Sequence, residues 1–310
     1  MEKLDRYRGC LLGLAVGDAL GTTLEFKSPG TFEPINDMVG GGPFQLEPGQ
    51  WTDDTSMALC LAESLIECDG FDAADQMQGY VRWYREGYLS SNGDCFDIGN
   101  TCRHALHAFE DTGEPFSGST ASNTAGNGSI MRLAPVAIRW ASDPATAIEM
   151  AAQSSRTTHG TQAAVDACRL LSAYLVGALS GVAKDDLLAP GAWTAETLQG
   201  TEPLCPKIAS IAKGSFEQKQ PPEIRGTGYV VDSMEAALWA FAGSESFVEG
   251  ALMAVNLGND ADTTGAVYGQ IAGAYYGVDE IPSAWLDKLT MREKIEDLIV
   301  GLMQAENRPT

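Results

Sequence analysis

The chain is organised around residues 51–57, WTDDTSM, in which two adjacent aspartates stand between two threonines. Apolar residues follow at helical spacing from Met57 to Ile66, so this segment is the start of a helix. Thr52 is suited to the N-cap position, and acidic residues suit the first turn because they complement the positive end of the helix dipole. Taken alone, Asp53 and Asp54 are therefore consistent with an ordinary helix start.

A second segment, residues 258–264 with the sequence GNDADTT, repeats this chemistry ahead of another apolar helix. One capping side chain is enough for each helix start, so the four aspartates and several threonines in these two segments are more than capping requires. If the two helix starts met, two unit charges about 4 Å apart would repel by roughly 4 kcal/mol at an effective dielectric constant of about 20. The aspartates would then have to take up protons or hold a cation.

Carboxylates and threonine hydroxyls are hard oxygen ligands, which suit Mg²⁺, Mn²⁺ or Ca²⁺ better than zinc. The two segments together therefore suggest a site for one or two divalent ions. Spacing along the chain does not establish whether the two helix starts meet.

The composition excludes some classes of partner. The 310 residues include 20 basic and 42 acidic ones, which gives a net charge of −22. Such a surface repels nucleic-acid backbones and anionic membranes. Hydrophobic residues make up 44% of the chain, enough for a substantial core.

The 7 cysteines include no Cys-x-x-Cys pair, so the sequence resembles neither a disulfide framework nor a zinc ribbon. The N-terminus lacks the basic and then apolar order of a signal peptide, and the apolar run over residues 10–17 stops at Asp18, too short to span a bilayer. We expect a soluble, cytoplasmic monomer in a reducing compartment.

Glycines recur at every fourth position in two predicted helices, although each interior glycine costs a helix about 1 kcal/mol relative to alanine. Such a stripe is useful where another backbone lies against it, so the two helices could cross closely. Each stripe could equally pack against a different element. The two stripes are Gly9, Gly13, Gly17 and Gly21, and Gly265, Gly269, Gly273 and Gly277.

Two further carboxylates lie among apolar neighbours. Residues 21–50 are rich in glycine and proline and form a predicted long loop, which carries Glu25 between a leucine and a phenylalanine. Asp97 lies between a phenylalanine and an isoleucine. Apolar surroundings raise the pKa of a carboxyl group, which suits a general acid or base. A solvated loop residue is the simpler interpretation of Glu25.

The segment GNGSIMR, residues 126–132, predicts a helix start whose exposed N–H groups could cradle a phosphate, although an ordinary serine-capped start also fits. We expect Pro135 to kink or end that helix. His159 precedes a predicted helix over residues 163–179, and a helix N-terminus favours a neutral imidazole near pH 7. Residues 226–232 form the only strand-like run.

Helical periodicity recurs along almost the whole chain, and no linker divides it. The fold class is therefore all-α, with residues 1–310 forming one domain. Further helices are predicted over residues 5–20, 73–86, 145–156, 232–241, 246–256 and 292–304.

Four motifs together resemble the ADP-ribosylglycohydrolase family: RGCLLGLAVGDALG at 8–21, TDDT at 52–55, GNGSIMR at 126–132 and GNDADTTG at 258–265. Residues 95–103 are most similar to the branch that activates dinitrogenase reductase. The resemblance implies a single-domain orthogonal helical bundle, with a dinuclear Mg²⁺ or Mn²⁺ centre at helix N-termini.

The resemblance also implies roles for individual residues. The family's catalytic carboxylate corresponds to Glu25 or Asp97. The implied metal ligands are Thr52, Asp53, Asp54, Asp260, Asp262 and Thr263. The implied ADP-ribose-binding residues are Gly99, Asn100, Asn127, Gly128, Ser129, Met131, His159 and Tyr229.

The implied activity is hydrolysis of the glycosidic bond between ADP-ribose and a modified protein side chain, with arginine as the expected linkage. Metal ions and N–H groups would let an acidic protein bind this anionic substrate. The alternatives are a non-catalytic ADP-ribose binder or structural relative, a hydrolase of serine-linked or O-acetyl-ADP-ribose, and a metal-dependent phosphoesterase that yields AMP or phosphate.

Overall fold

The computed structural model describes residues 1–190 and 192–306, and every regular element within those ranges is helical. The predicted all-α class is confirmed. Of the predicted domain 1–310, Gly191 and residues 307–310 lie outside the described residues. Short 3₁₀ helices occur at Ser122–Thr124, Ser215–Gln218 and Val278–Glu280.

The α-helices are α1 Lys3–Gly21, α2 Asp53–Glu67, α3 Ala73–Glu86, α4 Asn100–Thr112, α5 Ala134–Arg139, α6 Pro144–Thr158, α7 Gln162–Leu179, α8 Lys184–Leu188, α9 Trp193–Thr197, α10 Pro206–Ile211, α11 Val230–Ala242, α12 Phe247–Val255, α13 Ala261–Tyr276, α14 Ser283–Leu286 and α15 Arg292–Glu306.

Local chemistry sets several helix ends. The Asp72 carboxylate accepts hydrogen bonds from the N–H groups of Ala74 and Asp75, so α3 begins after it. The same helix ends at Gly87, whose φ of +66° suits a residue without a Cβ. Thr161 and Ser246 cap α7 and α12 in the same way as Asp72 caps α3.

Helices α1 and α13 lie antiparallel in direct backbone contact, which confirms the close crossing suggested by the glycine stripes. A Cβ placed on Gly9 would lie 2.1 Å from the carbonyl oxygen of Gly273, and one placed on Gly17 would lie 2.0 Å from that of Gly265. No side chain fits at these distances, so the glycines are needed in spite of their low helix propensity. The last glycine of the second stripe, Gly277, also adjoins Gly9, and a Cβ placed on Gly277 would meet the Met1 side chain.

This pairing determines where the functional segments lie. Because the helices are antiparallel, the C-terminal end of α1 adjoins the N-terminal end of α13, with Gly21 against the Ala261 carbonyl oxygen. Helices α2, α7 and α15 pack around α1, while α11 and α12 pack on α13. From Cys10 to Gly21, α1 is buried throughout.

Two local predictions were wrong. Pro135 neither kinks nor ends a helix. It lies in the first turn of α5, where a missing N–H costs nothing because the first N–H groups of a helix have no partner within it. The strand-like run at 226–232 contributes a single bridge between Gly126 and Tyr229, after which α11 begins at Val230.

The predicted long loop is present: residues 22–52, between α1 and α2, hold turns and one isolated bridge, Gly41 with Leu46. In the described part of the chain, no helix has both the length and the apolar character needed to cross a bilayer.

Candidate active site

Asp18 anchors the start of α2. Its Oδ1 accepts hydrogen bonds from the N–H and the hydroxyl of Thr52, both at 2.9 Å. Its Oδ2 accepts from the N–H of Thr55 at 3.0 Å and from that residue's hydroxyl at 2.6 Å. Thr52 occupies the predicted N-cap position, but its side chain forms no cap hydrogen bond, because the fully buried Asp18 carboxylate binds the free N–H groups instead.

The two acidic helix starts meet. The Thr52 hydroxyl lies 3.2 Å from Oδ2 of Asp54 and 3.3 Å from Oδ2 of Asp262, which is the second residue of α13. Carboxylate oxygens of Asp18, Asp54 and Asp262 all lie within 4.8 Å of one another, and all three residues are buried. The shared hydroxyl carries one proton, and its shortest acceptor distance is to Asp18. Its lone pairs are therefore free on the side of Asp54 and Asp262.

A second group of carboxylates lies next to the first and shares Asp262 with it. Glu25, Asp97 and Asp262 also place carboxylate oxygens within 4.8 Å of one another. Glu25 is only 3% exposed, so it is not a solvated loop residue. One carboxylate that belongs to two adjacent acidic groups is an arrangement that can bridge two cations.

Apart from Asp18, these groups include carboxylate oxygens that the protein leaves without a hydrogen bond. In the described chain, Oδ1 of Asp54, Oδ1 of Asp262 and Oε2 of Glu25 are buried and have no hydrogen-bond partner. A buried carboxylate oxygen without a partner is costly unless a proton or cation satisfies it. All the donors are oxygens, which is the set that hard divalent cations prefer. These residues therefore fit a metal site.

The pKa values point the same way. Burial, followed by repulsion from neighbouring carboxylates, raises the pKa values of Asp53, Asp54 and Asp262 well above the usual range. Burial also raises the pKa values of Asp18 and Asp260, against hydrogen bonds that lower them. Without a cation, the cluster holds protons that an isolated aspartate would release.

Glu25 and Asp97 differ in their protonation. Burial raises the pKa of Glu25 to about 10, with further contributions from the charges on Asp97 and Asp260. Burial raises the pKa of the half-buried Asp97 to about 7. At neutral pH in the metal-free protein, Glu25 is therefore the proton holder and Asp97 is poised between its two forms.

Three residues near these carboxylates have left-handed backbones: Phe26 with φ 60°, Asp97 with φ 60° and Asn259 with φ 55°. Such conformations are costly for residues other than glycine, and they persist where the surroundings enforce them. Here the N–H of Phe26 donates to the Asn259 carbonyl at 2.6 Å, and the N–H of Asn259 donates to the Lys27 carbonyl at 2.7 Å. The loop that carries Glu25 is thus fastened to the start of α13.

A cavity of about 930 Å³ opens above the carboxylates. That volume lies in the range of sites that enclose a ligand the size of a drug or cofactor. Six of the residues expected to bind substrate line the cavity: Gly99, Asn100, Asn127, Gly128, Met131 and His159. Asp53, Asp260 and Thr263 also line it, while Thr52, Asp54 and Asp262 are not part of this lining.

Ser129 and Tyr229 are the two expected substrate residues outside that lining. Ser129 is 2% exposed, and its hydroxyl accepts a hydrogen bond from Ser155 at 3.0 Å. The Tyr229 backbone pairs with Gly126, and its hydroxyl contacts the Lys207 ammonium group at 2.9 Å. Their role in binding stays a prediction.

The glycine segment, residues 126–128, is a turn and not the predicted helix start, since α5 begins only at Ala134. The N–H of Asn127 donates to the carbonyl of Gly228 at 3.1 Å, and its side-chain amide donates to Oδ2 of Asp260 at 2.7 Å. The N–H of Asp260 in turn donates to the carbonyl of Gly226 at 3.0 Å. The glycine segment is therefore hydrogen-bonded directly to the second acidic helix start.

His159 is neutral, as predicted, but for a different reason. It lies at the C-terminal end of α6, two residues before the cap of α7, so no helix N-terminus acts on it directly. Burial and the positive charge of Arg132 lower the pKa of His159 to about 3.

Sequence reasoning missed several residues of the site. Asp18 lies within the motif at residues 8–21, and a lone carboxylate inside an apolar, glycine-striped helix is an unusual feature that could have indicated its role. Thr55 was also missed as a partner of Asp18. The cavity-lining Phe44 gave no signal, because nothing in the sequence predicts that its loop folds over the site.

Known proteins resemble this chain over its full length. A sequence model described as ADP-ribosylglycohydrolase matches residues 1–310. ADP-ribosylarginine hydrolase Tri1 of Pseudomonas putida (strain GB-1) is 48% identical over 298 residues, which make up 96% of this chain and 77% of that protein. ADP-ribosyl-dinitrogen reductase glycohydrolase of Rhodospirillum rubrum is 34% identical over 301 residues, 94% of this chain and 92% of that protein.

A solved structure is also similar. A chain of an ADP-ribosylglycohydrolase-related protein complex is 45% identical and superposes with a TM-score of 0.86, covering 98% of this chain and 99% of that one.

Proposed function

The chain belongs to the ADP-ribosylglycohydrolase family, and from that premise we propose that it is a metal-dependent hydrolase that releases ADP-ribose from ADP-ribosylated arginine on a protein. The observation that carries this proposal is the pair of buried carboxylate groups, joined through Asp262, beside a cavity of about 930 Å³. We further propose that residues 1–310 form one ADP-ribosylglycohydrolase-like domain.

The proposed cofactors are two divalent cations, Mg²⁺ or Mn²⁺. The unpartnered oxygens of Asp54 and Asp262 support this choice, as does a donor set composed only of oxygens. When bound, such ions would supply positive charge that offsets the crowded carboxylates and would polarise the substrate oxygens. The proposed ligands are Thr52, Asp53, Asp54, Asp260, Asp262 and Thr263.

Glu25 and Asp97 are the proposed proton-transfer pair. Hydrolysis adds the hydroxyl of water to the anomeric carbon and breaks the carbon–nitrogen bond, whose electron pair stays on the guanidine nitrogen. That nitrogen then takes a proton, which the buried Glu25 is placed to supply. Asp97, which lines the cavity, is placed to accept the proton of the attacking water. Nearby carboxylates also stabilise positive charge that develops at the anomeric carbon.

Two aromatic rings of the cavity lining, Phe26 and Phe44, support arginine as the linkage. Phe26 is 67% exposed and follows the buried Glu25 in the chain. The Phe44 ring packs edge-on against the Phe26 ring, with the two ring centroids 6.4 Å apart. A guanidinium group is planar, cationic and weakly hydrated, so it stacks on aromatic faces and pairs with carboxylates. A serine hydroxyl or an acetyl ester offers no charge for these rings to recognise.

The decisive experiment is a panel of linkages. Proteins ADP-ribosylated on arginine or on serine, and O-acetyl-ADP-ribose, are each incubated with the protein plus Mg²⁺ or Mn²⁺, and the released nucleotide is identified by mass spectrometry. We expect intact ADP-ribose from the arginine linkage and little from the others.

Other outcomes of the panel would identify a different activity or a different substrate. Release of AMP or phosphate would identify a phosphoesterase instead. Tight calorimetric binding of ADP-ribose without turnover of any linkage would identify a non-catalytic binder. Preferential turnover of the serine linkage would overturn the substrate assignment and leave the hydrolase class intact.

A further inference from the structure

A buried arginine lies behind the cavity wall. Arg132 is fully buried, and its Nη1 donates to the carbonyl of Gly128 while its Nη2 donates to the hydroxyl of Thr158 at 2.7 Å. Its guanidinium also lies over the Tyr80 ring, 4.7 Å from the centroid. Within the described residues, none of its hydrogen bonds goes to a carboxylate, which is unusual for a buried arginine.

The guanidinium determines how the neighbouring protons are arranged. Arginine only donates, so the Thr158 oxygen accepts from it. The Thr158 hydroxyl also contacts Nδ1 of His159 at 2.9 Å. The other acceptor beside this hydroxyl is the Cys102 thiol, and sulfur accepts a hydrogen bond more weakly than an imidazole nitrogen. That proton therefore points to Nδ1, which must accept it. A neutral imidazole has one N–H, so the ring proton is on Nε2.

The imidazole ring packs against the glycine segment. A Cβ on Gly128 would lie 2.8 Å from Cε1 of His159, and one on Gly126 would lie 3.2 Å from Nε2. His159 is 2% exposed and lines the cavity, and among the described residues the side-chain hydrogen bond found for its ring is that of Nδ1 with Thr158. A ring N–H without a protein acceptor, at the wall of a ligand cavity, is available to bind a ligand.

We propose that Arg132 and Thr158 are positioning residues that hold His159 as its Nε2–H tautomer, so that His159 donates one hydrogen bond to an acceptor atom of bound ADP-ribose. The identity of the ligand rests on the proposed function, whereas the tautomer does not. The glycines at 126 and 128 complete the arrangement, because a side chain at either position would displace the ring.

The tautomer is measured directly by long-range ¹H–¹⁵N NMR of the ligand-free protein labelled at its imidazole nitrogens. The chain has only 3 histidines, so His159 is assigned by its absence from the spectrum of His159→Gln. We expect Nδ1 in the unprotonated range and Nε2 in the protonated range. A spectrum with the proton on Nδ1 would overturn the proposal, whether or not the protein hydrolyses anything.

Variants of Thr158 test the chain of hydrogen bonds from Arg132 through Thr158 to His159. Thr158→Val keeps the side-chain shape and removes the hydroxyl, so we expect a redistributed tautomer and ADP-ribose binding weaker by about threefold to tenfold, the factor for one neutral hydrogen bond. Thr158→Ser should restore both. The matched control is Thr157→Val, since the Thr157 hydroxyl is buried next to Thr158 but bonds to Ser154 and Gln76 instead.

If the ¹⁵N spectrum of Thr158→Val still shows the His159 proton on Nε2, Thr158 does not determine the tautomer, and the proposal is contradicted. If Thr158→Val fails to fold, the wild-type and Thr158→Ser spectra still decide, because both must show Nε2–H. Normal tautomers and ADP-ribose binding without any turnover would count against the hydrolase alone.

Discussion

The two acidic helix starts have the same chemistry, but different surroundings hold them. The start of α2 is fixed from within the core by the Asp18 carboxylate, which accepts all its hydrogen bonds from Thr52 and Thr55. The start of α13 is fixed from the cavity side, because Asp260 binds the Asn127 amide and the backbone of Gly226.

This difference suggests that the two helix starts contribute differently to cation binding and to substrate binding. At the α2 start, Thr52 and Asp54 are buried behind the cavity lining, and Asp53 is the residue of this start that lines the cavity. The α13 start shares its partly exposed Asp260 with the glycine segment that lines the cavity. We therefore expect changes at α2 to affect cation binding and stability, and changes around Asp260 to affect substrate binding as well.

The largest effect should come from neutralising an aspartate at either helix start. Asp54→Asn and Asp262→Asn should each lower kcat/KM by on the order of a thousandfold, because several kcal/mol of transition-state charge stabilisation is lost. Mn²⁺ affinity, measured by calorimetry, should fall in parallel while circular dichroism stays near that of the wild type.

The matched control is Asp279→Asn, at an exposed aspartate just beyond the C-terminal end of α13 and so at the opposite end of that helix from the site, which should change neither quantity. Full turnover in Asp54→Asn or Asp262→Asn would show that the ligand assignment is wrong.

The next effect should come from Asp18→Asn, which removes the anchor of α2 at nearly constant size. An amide nitrogen cannot accept the hydrogen bonds that one Asp18 oxygen now receives. We expect a loss of about 2–4 kcal/mol in the free energy of unfolding, since hydrogen bonds to charged groups contribute about 1.5–3 kcal/mol each. Mn²⁺ affinity should fall by about 10- to 100-fold, as for residues that orient metal ligands.

Urea denaturation in the presence of a chelator isolates the stability effect of Asp18→Asn from the effect of metal binding. Equal stability of the variant and the wild type would mean that Asp18 does not organise the start of α2.

A smaller effect should come from Asn127→Ala, on the α13 side. Losing the amide donor to Asp260 should raise the KM for ADP-ribosylated protein by about tenfold, the scale of one hydrogen bond to a charged group, with little change in the free energy of unfolding. Asn123→Ala, at an exposed residue of the 3₁₀ helix just before the glycine segment, serves as the control. A change confined to stability would contradict the proposed division between the two helix starts.

The smallest effect concerns pH. In the metal-free fold, Asp97 has a pKa of about 7 and Glu25 of about 10, whereas unfolded carboxyl groups titrate near 4. The folded state therefore holds protons that the unfolded state releases. These groups accordingly make metal-free stability fall as pH rises from about 4, through the pKa of Asp97 near 7 and up to that of Glu25 near 10. Cations bind the deprotonated form, so added Mn²⁺ should raise the melting temperature more at pH 8 than at pH 6.

Differential scanning fluorimetry with a chelator or with Mn²⁺ measures this difference. A Mn²⁺ effect on the melting temperature that is independent of pH would mean that these carboxylates are already ionised without the metal.

Much of the fold was predictable because its signals are local or periodic. The bounds of α3 follow from an apolar stripe, an aspartate cap and a terminal glycine, and the structure matches them at both ends. The prediction for Pro135 was wrong because a proline can either end one helix or stand in the first turn of the next. Only the structure of the neighbouring turns decides between these two positions. The site was predictable where several unusual residues cluster, as in residues 52–55 and 260–263.

By itself, the sequence determined the helices, the two acidic helix starts, the two glycine stripes and the family, because each depends on residue types at fixed spacing. Tertiary structure alone decided that the stripes face each other antiparallel, that Asp18 holds the start of α2, and that Arg132 reaches His159 through Thr158. These relations join residues distant in sequence through single atoms, and a pattern along the chain specifies which surfaces must be buried but not which atoms they meet.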